Sequence, residues 1–438
     1  MYAANISKSR EPMLEKCGIM SRTAKEDISS IDEEIYRTFT TQYDKLIPPI
    51  GNVKIVDTTC RDGEQMPGVS FTIGEKVEIA RKLGAIGIEQ METFATYNDS
   101  DRQSARLIAK EGLDISLMGW ARPVSEDIED SISNDIDAIA ISIATSDIHL
   151  KYKLRMTREE MMGKMADAIK LAKSKGVYVC FNAEDGTRTD LDDLIAFVKT
   201  GKQAGADRFR LCDTIGVLTP STTKFLVDEI MKAVDIDLEL HAHNDFGISL
   251  ANAVAALEVG AKYPDRTIWI STTVNNLGER AGNVPLEAFL MILKRHYGIK
   301  KYRTEKIFPL CKFVEQASMI KIPPNYPVVG ENIFRHKSGI HQDGVLKNPL
   351  TYEVFTPEEI GTTRTIALGK HSGRAAIKFK LDELGIQCTD EEIEVLRHLV
   401  TRISEDRKSP LTDDEFAHIV LRVKTRGSGA VPPFRSYE

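Results

Sequence analysis

Four short segments carry the residue types that metal-assisted carbonyl chemistry needs. They are Asp57-Thr58-Thr59-Cys60-Arg61-Asp62-Gly63-Glu64-Gln65, Asn182-Ala183-Glu184-Asp185, His241-Ala242-His243-Asn244-Asp245 and Gly278-Glu279-Arg280-Ala281-Gly282-Asn283. His241 and His243 stand two apart at the end of a predicted strand, so both rings project from one face and can bind one cation. On spacing alone, the pair reads equally well as two histidines partnered by carboxylates. Asp62, after the first predicted strand, and Asn283, after the eighth, add oxygen ligands on the same rim. Two imidazoles, a carboxylate and an amide oxygen, with positions left open, suit a divalent ion of the Mg, Mn, Fe, Co or Zn group acting as a Lewis acid. Such an ion can chelate a 2-oxo acid through its carboxylate and ketone oxygens. Arg61, beside Asp62, is placed to stabilise the oxyanion or enolate that develops; its bland alternative is an ion pair with Glu64, Glu92 or Glu184.

Segments so far apart in the chain meet only if strand ends share one mouth, and a parallel (β/α)8 barrel provides that. From Gly51 onward, β-rich runs alternate with helical patterns: Lys54–Thr59, Ile86–Thr93, Asp114–Trp120, Ala138–Ala144, Tyr178–Glu184, Arg208–Asp213, Asp237–His243 and Thr267–Thr273. Helices are expected over Gly74–Leu83, Arg158–Lys175, Leu191–Ala204 and Pro220–Val234. Eight such units over about 250 residues suit a closed barrel better than an open sheet. A doubly wound sheet would carry a glycine-rich phosphate turn after its first strand, where this chain has Arg61-Asp62-Gly63-Glu64-Gln65.

The domains expected are a partly helical leader over 1–50 (helix Asp27–Thr41), a TIM-barrel catalytic domain over 51–300, and a mainly helical C-terminal region over 301–438. Helices in that last region are expected at Phe308–Ser318, Glu391–Glu405 and Asp413–Lys424, ahead of a poorly ordered tail, Gly427–Pro433. With 438 residues, 42% of them apolar, the chain can bury a large core. A formal charge of -7 without a long basic run argues against nucleic acid or an anionic membrane surface as the main partner. No apolar run reaches the ~20 residues of a membrane span. Six scattered cysteines, without a C-x-x-C pair, and a polar first segment point to the cytoplasm.

These segments, with Pro67-Gly68-Val69 and Ser338-Gly339-Ile340-His341-Gln342-Asp343-Gly344, resemble the 2-isopropylmalate, homocitrate and Re-type citrate synthase family over roughly residues 51–375. The resemblance implies a metal-dependent Claisen condensation of acetyl-CoA with a 2-oxo acid, followed by thioester hydrolysis, in a homodimer. It implies a divalent metal (Mn, Mg, Co or Zn) held by Asp62, His241 and His243 with Asn283 at hand. Arg61 and Gln65 match residues that contact the oxo acid or enolate, Glu184 a strand-five carboxylate, and Thr214 a residue that binds the oxo-acid carboxylate. His341 and Tyr352 resemble the base and its partner that act on the acetyl methyl; without the resemblance they read as a surface histidine and a packed tyrosine. His371, in Leu368–Arg374, is read as structural.

The oxo acid is less plainly written. Glu92-Thr93-Phe94-Ala95-Thr96-Tyr97 matches neither the Glu-Ala-Gly-Phe-Pro of isopropylmalate synthases nor the Glu-Leu-Thr-Ser-Pro of homocitrate synthases. Cys180 stands where lysine-pathway homocitrate synthases place an arginine. Thr93, Thr96, Tyr97, Arg122 and Thr145 could line a polar pocket, with Glu92 also expected to touch substrate, which favours oxaloacetate, and hence citrate; in the bland alternative these threonines face away and Arg122 only pairs with Glu126. Against this, Ala144–His149 resembles isopropylmalate synthases closely. Two rivals have different chemistry or none: a C–C lyase on a related barrel, which generally lacks the Ser338–Gly344 and Tyr352 region, and a non-catalytic metabolite-binding paralogue, which the retained Arg61, Asp62, Glu184, His241, His243 and His341 oppose.

Overall fold

A computed structural model describes residues 44–336 and 339–426; the helix expected over Asp27–Thr41 and the tail Gly427–Pro433 lie outside them. Eight strands follow in order: β1 (Asn52–Asp57), β2 (Gln90–Phe94), β3 (Ser116–Ala121), β4 (Ala138–Ala144), β5 (Tyr178–Glu184), β6 (Arg208–Asp213), β7 (Asp237–Ala242) and β8 (Thr267–Thr273). Each pairs in parallel with its successor, and β1 also pairs with β8, so the sheet closes into the expected (β/α)8 barrel. The helices following these strands are α1 (Ile73–Ile86), α2 (Asp99–Lys110), α3 (Ser125–Ile132), α4 (Arg158–Ser174), α5 (Leu191–Gln203), α6 (Pro220–Ala233), α7 (Ser249–Gly260) and α8 (Leu286–His296).

Local chemistry explains many of these boundaries. Thr72 and Thr157 open α1 and α4 with reciprocal capping boxes to Glu75 and Glu160, each cap contributing about 1 kcal/mol. Gly87, at φ 95°, closes α1 in the left-handed region. Ile86 through Glu89 therefore belong to the helix end and turn, and β2 starts later than its apolar run suggested. Residues that alternate along each strand separate two cores. Those facing outward, such as Ile55, Phe181 and Phe209, are buried beneath helix residues such as Ile79, Leu83 and Phe197. Those facing inward include the apolar plug Val56, Met118, Ala138, Ala140, Cys180 and Trp269.

The chain forms two compact units, Leu46–Pro323 with Pro327–Val329, and Pro324–Tyr326 with the chain from Gly330. The barrel unit thus runs past the expected boundary at residue 300. Helix α9 (Ile307–Ser318) packs on α1, and the Arg303 N–H donates to the Ile86 carbonyl at 2.9 Å. The second unit contains α10 (Gly339–Lys347), α11 (Arg374–Glu383), α12 (Asp390–Arg407) and α13 (Asp413–Arg426). Its apolar core includes Ile377, Leu381, Leu396, Val400, Phe416 and Val420.

One position tests the outer core. Phe181 is wedged between Phe197 and Phe209, with ring centroids 5.4 and 5.2 Å away, and a Cβ at Gly201 would lie 2.3 Å from its ring. Gly201→Ala is expected to destabilise the barrel by about 1–3 kcal/mol through overpacking; an unchanged urea midpoint would mean that the rings yield freely.

Candidate active site

The turn after β1 carries Arg61 and Asp62. The N–H groups of Arg61 and Gly63 both donate to the Thr58 carbonyl (3.0 and 3.1 Å), and the Thr59 hydroxyl accepts the Val274 N–H (2.8 Å), so the turn is sewn to the end of β8. His241 lies in β7 and His243 just beyond it. Their rings stand 5.2 Å apart, nearly perpendicular. The Asp62 Oδ2 lies 3.0 Å from His241 Nε2 and 3.7 Å from His243 Nε2, and the three ligand atoms fall within 4.8 Å of one another. All three side chains are buried.

Asn283 completes the cluster. Its Nδ2 donates to Asp62 Oδ2 at 2.9 Å and lies 3.5 Å from His241 Nε2, while its buried Oδ1 has no hydrogen-bond partner. Turning the amide over would present that oxygen to the cluster. Two glycines shape the approach: a Cβ at Gly278 (φ 144°) would stand 2.0 Å from Asn283 Oδ1, and one at Gly282 (φ 83°) 1.8 Å from the Asn276 carbonyl. Two imidazole nitrogens, a carboxylate and an unpartnered amide oxygen around one point fit a divalent ion. The electrostatics agree. Burial would raise the Asp62 carboxyl, but Arg61 and the histidines outweigh it and keep it ionised. Burial, with His241 beside it, pushes His243 down to about 4, so its ring is neutral and able to ligate at pH 7.

Arg61 does not hang free. Its Nε donates to Glu92 in β2, its Nη1 lies 3.6 Å from Asp62, and the same nitrogen reaches Gln65 Oε1 at 3.5 Å. Glu92, expected to touch substrate, is fully buried, and its other oxygen accepts from Arg210 of β6. It is a positioning residue for Arg61. Burial opposes its ionisation, but Arg210 and Arg61 prevail and hold its carboxyl at about 2. Below it, Arg210 Nε and Arg208 Nε lie 2.6 and 2.9 Å from the two oxygens of Glu239 in β7. Arg208 also donates to Gln90 at 2.5 Å and stacks 4.0 Å from the Trp269 ring. Sequence reasoning missed Arg208, Arg210 and Glu239. Their signal was present, since residues 208 and 210, and 239, 241 and 243, share faces of their strands.

The other expected residues fall into distinct groups. Glu184, at the end of β5, accepts from Lys153 Nζ at 2.5 Å and lies 3.6 Å from His149 Nδ1; both partners come from the loop after β4. The Thr214 hydroxyl oxygen accepts the Asp185 N–H at 2.7 Å. Thr93 is buried, its hydroxyl making long contacts to the Phe94 and Cys60 carbonyls (3.4 and 3.5 Å). Thr145 is also buried and bonds Thr189 at 2.7 Å. Arg122 is not drawn into the mouth. It is exposed and held by both oxygens of Asp127 (2.6 and 2.9 Å), because the first turn of α3 offers a carboxylate within its reach. In the second unit, His341 stacks on Tyr352 with ring centroids 4.3 Å apart. The Gln342 amide anchors that helix by donating to the carbonyls of His336 (2.8 Å) and Ala367 (2.9 Å).

Comparison with known proteins agrees with this geometry. The family model described as HMGL-like matches residues 52–314, and the homocitrate synthase post-HMGL domain-like model matches 328–408. Over 377 residues the chain is 46% identical to 2-isopropylmalate synthase 2 of Caldanaerobacter subterraneus subsp. tengcongensis, covering 86% of this chain and 97% of the relative. Over 386 residues it is 44% identical to the homocitrate synthase AksA of Methanopyrus kandleri, covering 87% and 96%. The crystal structure of the Bacillus subtilis HMG-CoA lyase superposes with a TM-score of 0.55 at 19% identity, covering 63% of this chain and 97% of that one, which is a likeness of fold. With its HMGL-like barrel and the domain that follows it, this chain belongs to the family of 2-isopropylmalate and homocitrate synthases, acyltransferases that join an acyl-CoA to a 2-oxo acid.

Proposed function

We propose that the protein condenses acetyl-CoA with oxaloacetate and hydrolyses the thioester, giving citrate. The convergence of Asp62, His241 and His243 beside Arg61 carries the condensation reading. A divalent ion held by those three residues, with Asn283 at hand, supplies a Lewis acid that makes the ketone carbon electrophilic. Arg61, clamped by Glu92, keeps a fixed guanidinium beside the position where oxyanion charge develops, and a preorganised donor costs no reorganisation at the moment of reaction. Thr214 accepts one backbone N–H through its hydroxyl oxygen and keeps the hydroxyl proton for the oxo-acid carboxylate, with Gln65 on the Arg61 side. Glu184, next to Lys153 and His149, holds or passes a proton at the mouth. His341 is the base for the acetyl methyl, with Tyr352 against its ring fixing its plane. A thioester α-carbon is a weak acid, so the base must be held close to it.

Oxaloacetate is supported by the buried arginines Arg208 and Arg210 beneath the cluster, whereas the buried Thr93 and Thr145 hydroxyls are already engaged, by the Phe94 and Cys60 carbonyls and by Thr189. A second reading, 2-isopropylmalate formation from 2-oxoisovalerate, is favoured by the loss of Arg122 to Asp127, which takes one cation away from a second carboxylate. Homocitrate and citramalate formation, from 2-oxoglutarate and pyruvate, use the same machinery. The five described cysteines are unpaired, which suits a reducing cytoplasm, and no helix among the described residues is long and apolar enough to cross a membrane. A homodimer is the assembly we expect, readable by light scattering.

Release of free thiol from acetyl-CoA, measured with Mn2+ across oxaloacetate, 2-oxoglutarate, 2-oxoisovalerate and pyruvate, is expected to be fastest with oxaloacetate. A 2-oxoisovalerate preference would replace citrate with isopropylmalate, and silence with all four would reopen the lyase. Chelation with EDTA should abolish turnover, and added Mn2+ should restore it in the wild type but not in His241→Ala. Arg61→Ala is expected to lower kcat by about 10²–10³-fold, and His341→Ala by about 10²–10⁴-fold. Wild-type rates in either variant would sink the assigned roles.

A further inference from the structure

We infer that Arg210 is the residue that selects a diacid, by receiving the second carboxylate of a short 2-oxo diacid on the floor of the site. The inference rests on the condensation reading above. Register places the residue: Ser142 of β4 lies opposite Asn182 of β5, Asn182 opposite Arg210 of β6, and Arg210 opposite Glu239 of β7. These four residues form one rung of the barrel interior. His241 follows Glu239 by two residues on the same strand face, so this rung lies directly beneath the metal-ligand cluster. Asn182, Arg210 and Glu239 are buried, yet Ser142 on the same rung and Trp120 of β3 are only partly buried. The mouth is therefore deep enough on the β3–β4 side for a ligand to reach this level.

The charges on that floor do not balance by themselves. Arg61, Arg208 and Arg210 face the carboxylates Glu92 and Glu239, and Asp62, the third carboxylate near Arg61, belongs to the metal cluster. Surplus buried positive charge is costly unless an anion meets it. Arg210 also keeps a spare donor. Its Nη2 donates to Glu92 and its Nε faces Glu239, but its fully buried Nη1 has no hydrogen-bond partner. Arg208 Nη1, one rung deeper, is unpaired as well, but Arg210 stands nearer the metal-ligand cluster, and a buried donor left unpaired marks a place where something else binds. Successive rungs on one strand face are about 6.6 Å apart, a step that a four-carbon diacid and one hydrogen bond bridge. A 2-oxo acid with an alkyl tail would leave the donor and the surplus charge unanswered.

The test is steady-state thiol release with Mn2+ for the wild type, Arg210→Lys, and the paired variant Arg210→Met with Glu239→Gln, which removes one charge of each sign. The wild type is expected to prefer oxaloacetate. Because Arg210 also holds Glu92 and through it Arg61, all rates should fall in both variants, but kcat/KM for oxaloacetate should fall about tenfold or more further than kcat/KM for pyruvate or 2-oxoisovalerate, as expected when a buried polar contact to substrate is lost. Equal losses on all oxo acids would make Arg210 a structural residue and overturn the inference. So would a wild-type preference for 2-oxoisovalerate, which leaves the condensation reading standing, whereas a wild type silent on every oxo acid defeats that reading itself. Should both variants fail to fold, melting of the wild-type protein with Mn2+ decides: oxaloacetate should raise Tm more than equimolar pyruvate, and equal shifts overturn the inference.

Discussion

The ion-pair ladder inside the barrel is the constraint on which the site depends. One carboxylate, Glu92, is shared by two guanidiniums, and the second of these, Arg210, shares Glu239 with a third, Arg208. A barrel interior filled with Val, Ile and Leu would be cheaper, because several charges taken from water recover their desolvation cost only in good geometry. What the ladder supplies is position. Arg61 cannot swing without breaking its bond to Glu92, and Glu92 cannot follow without breaking its bond to Arg210. The reactive rim therefore inherits its rigidity from a layer of side chains beneath it.

Much of the barrel was legible because its strands are short apolar runs that alternate with helical patterns, signals that tertiary packing did not override. β4, β5, β6 and β8 carry the expected bounds, and β7 ends one residue before its expected end. The misses have local causes. Ile86 ends an amphipathic helix whose last turn is as apolar as a strand. The division at residue 300 overlooked that α9 packs back on α1. The ligand cluster could be read from two-residue spacing, since alternation along a strand is rigid geometry. Arg122 could not, because which carboxylate claims an exposed arginine depends on the first turn of the next helix. Glu92 was noticed for its position, but its role rests on Arg210, 118 residues away, and no spacing rule connects them.

Relatives named for different products align along nearly their whole length with this barrel and the domain that follows it. The condensation proposed here needs a cation cluster, an oxyanion partner and a base, and the residues proposed for them stand at loop or strand-end positions. The identity of the oxo acid has to be set by residues that those groups do not occupy, and the interior rungs are where this chain has placed charge.

Glu184 has a further consequence. Its carboxylate sits on β5, yet the groups that meet it, Lys153 and His149, come from the loop after β4, which makes a single π turn at Leu150–Leu154 before Arg155 reverses its direction at φ 54°. Changes of length or sequence in that loop can therefore change the partners of Glu184 without altering the strand that bears it. In evolutionary terms the strand keeps the carboxylate where it is, and the loop decides what that carboxylate meets.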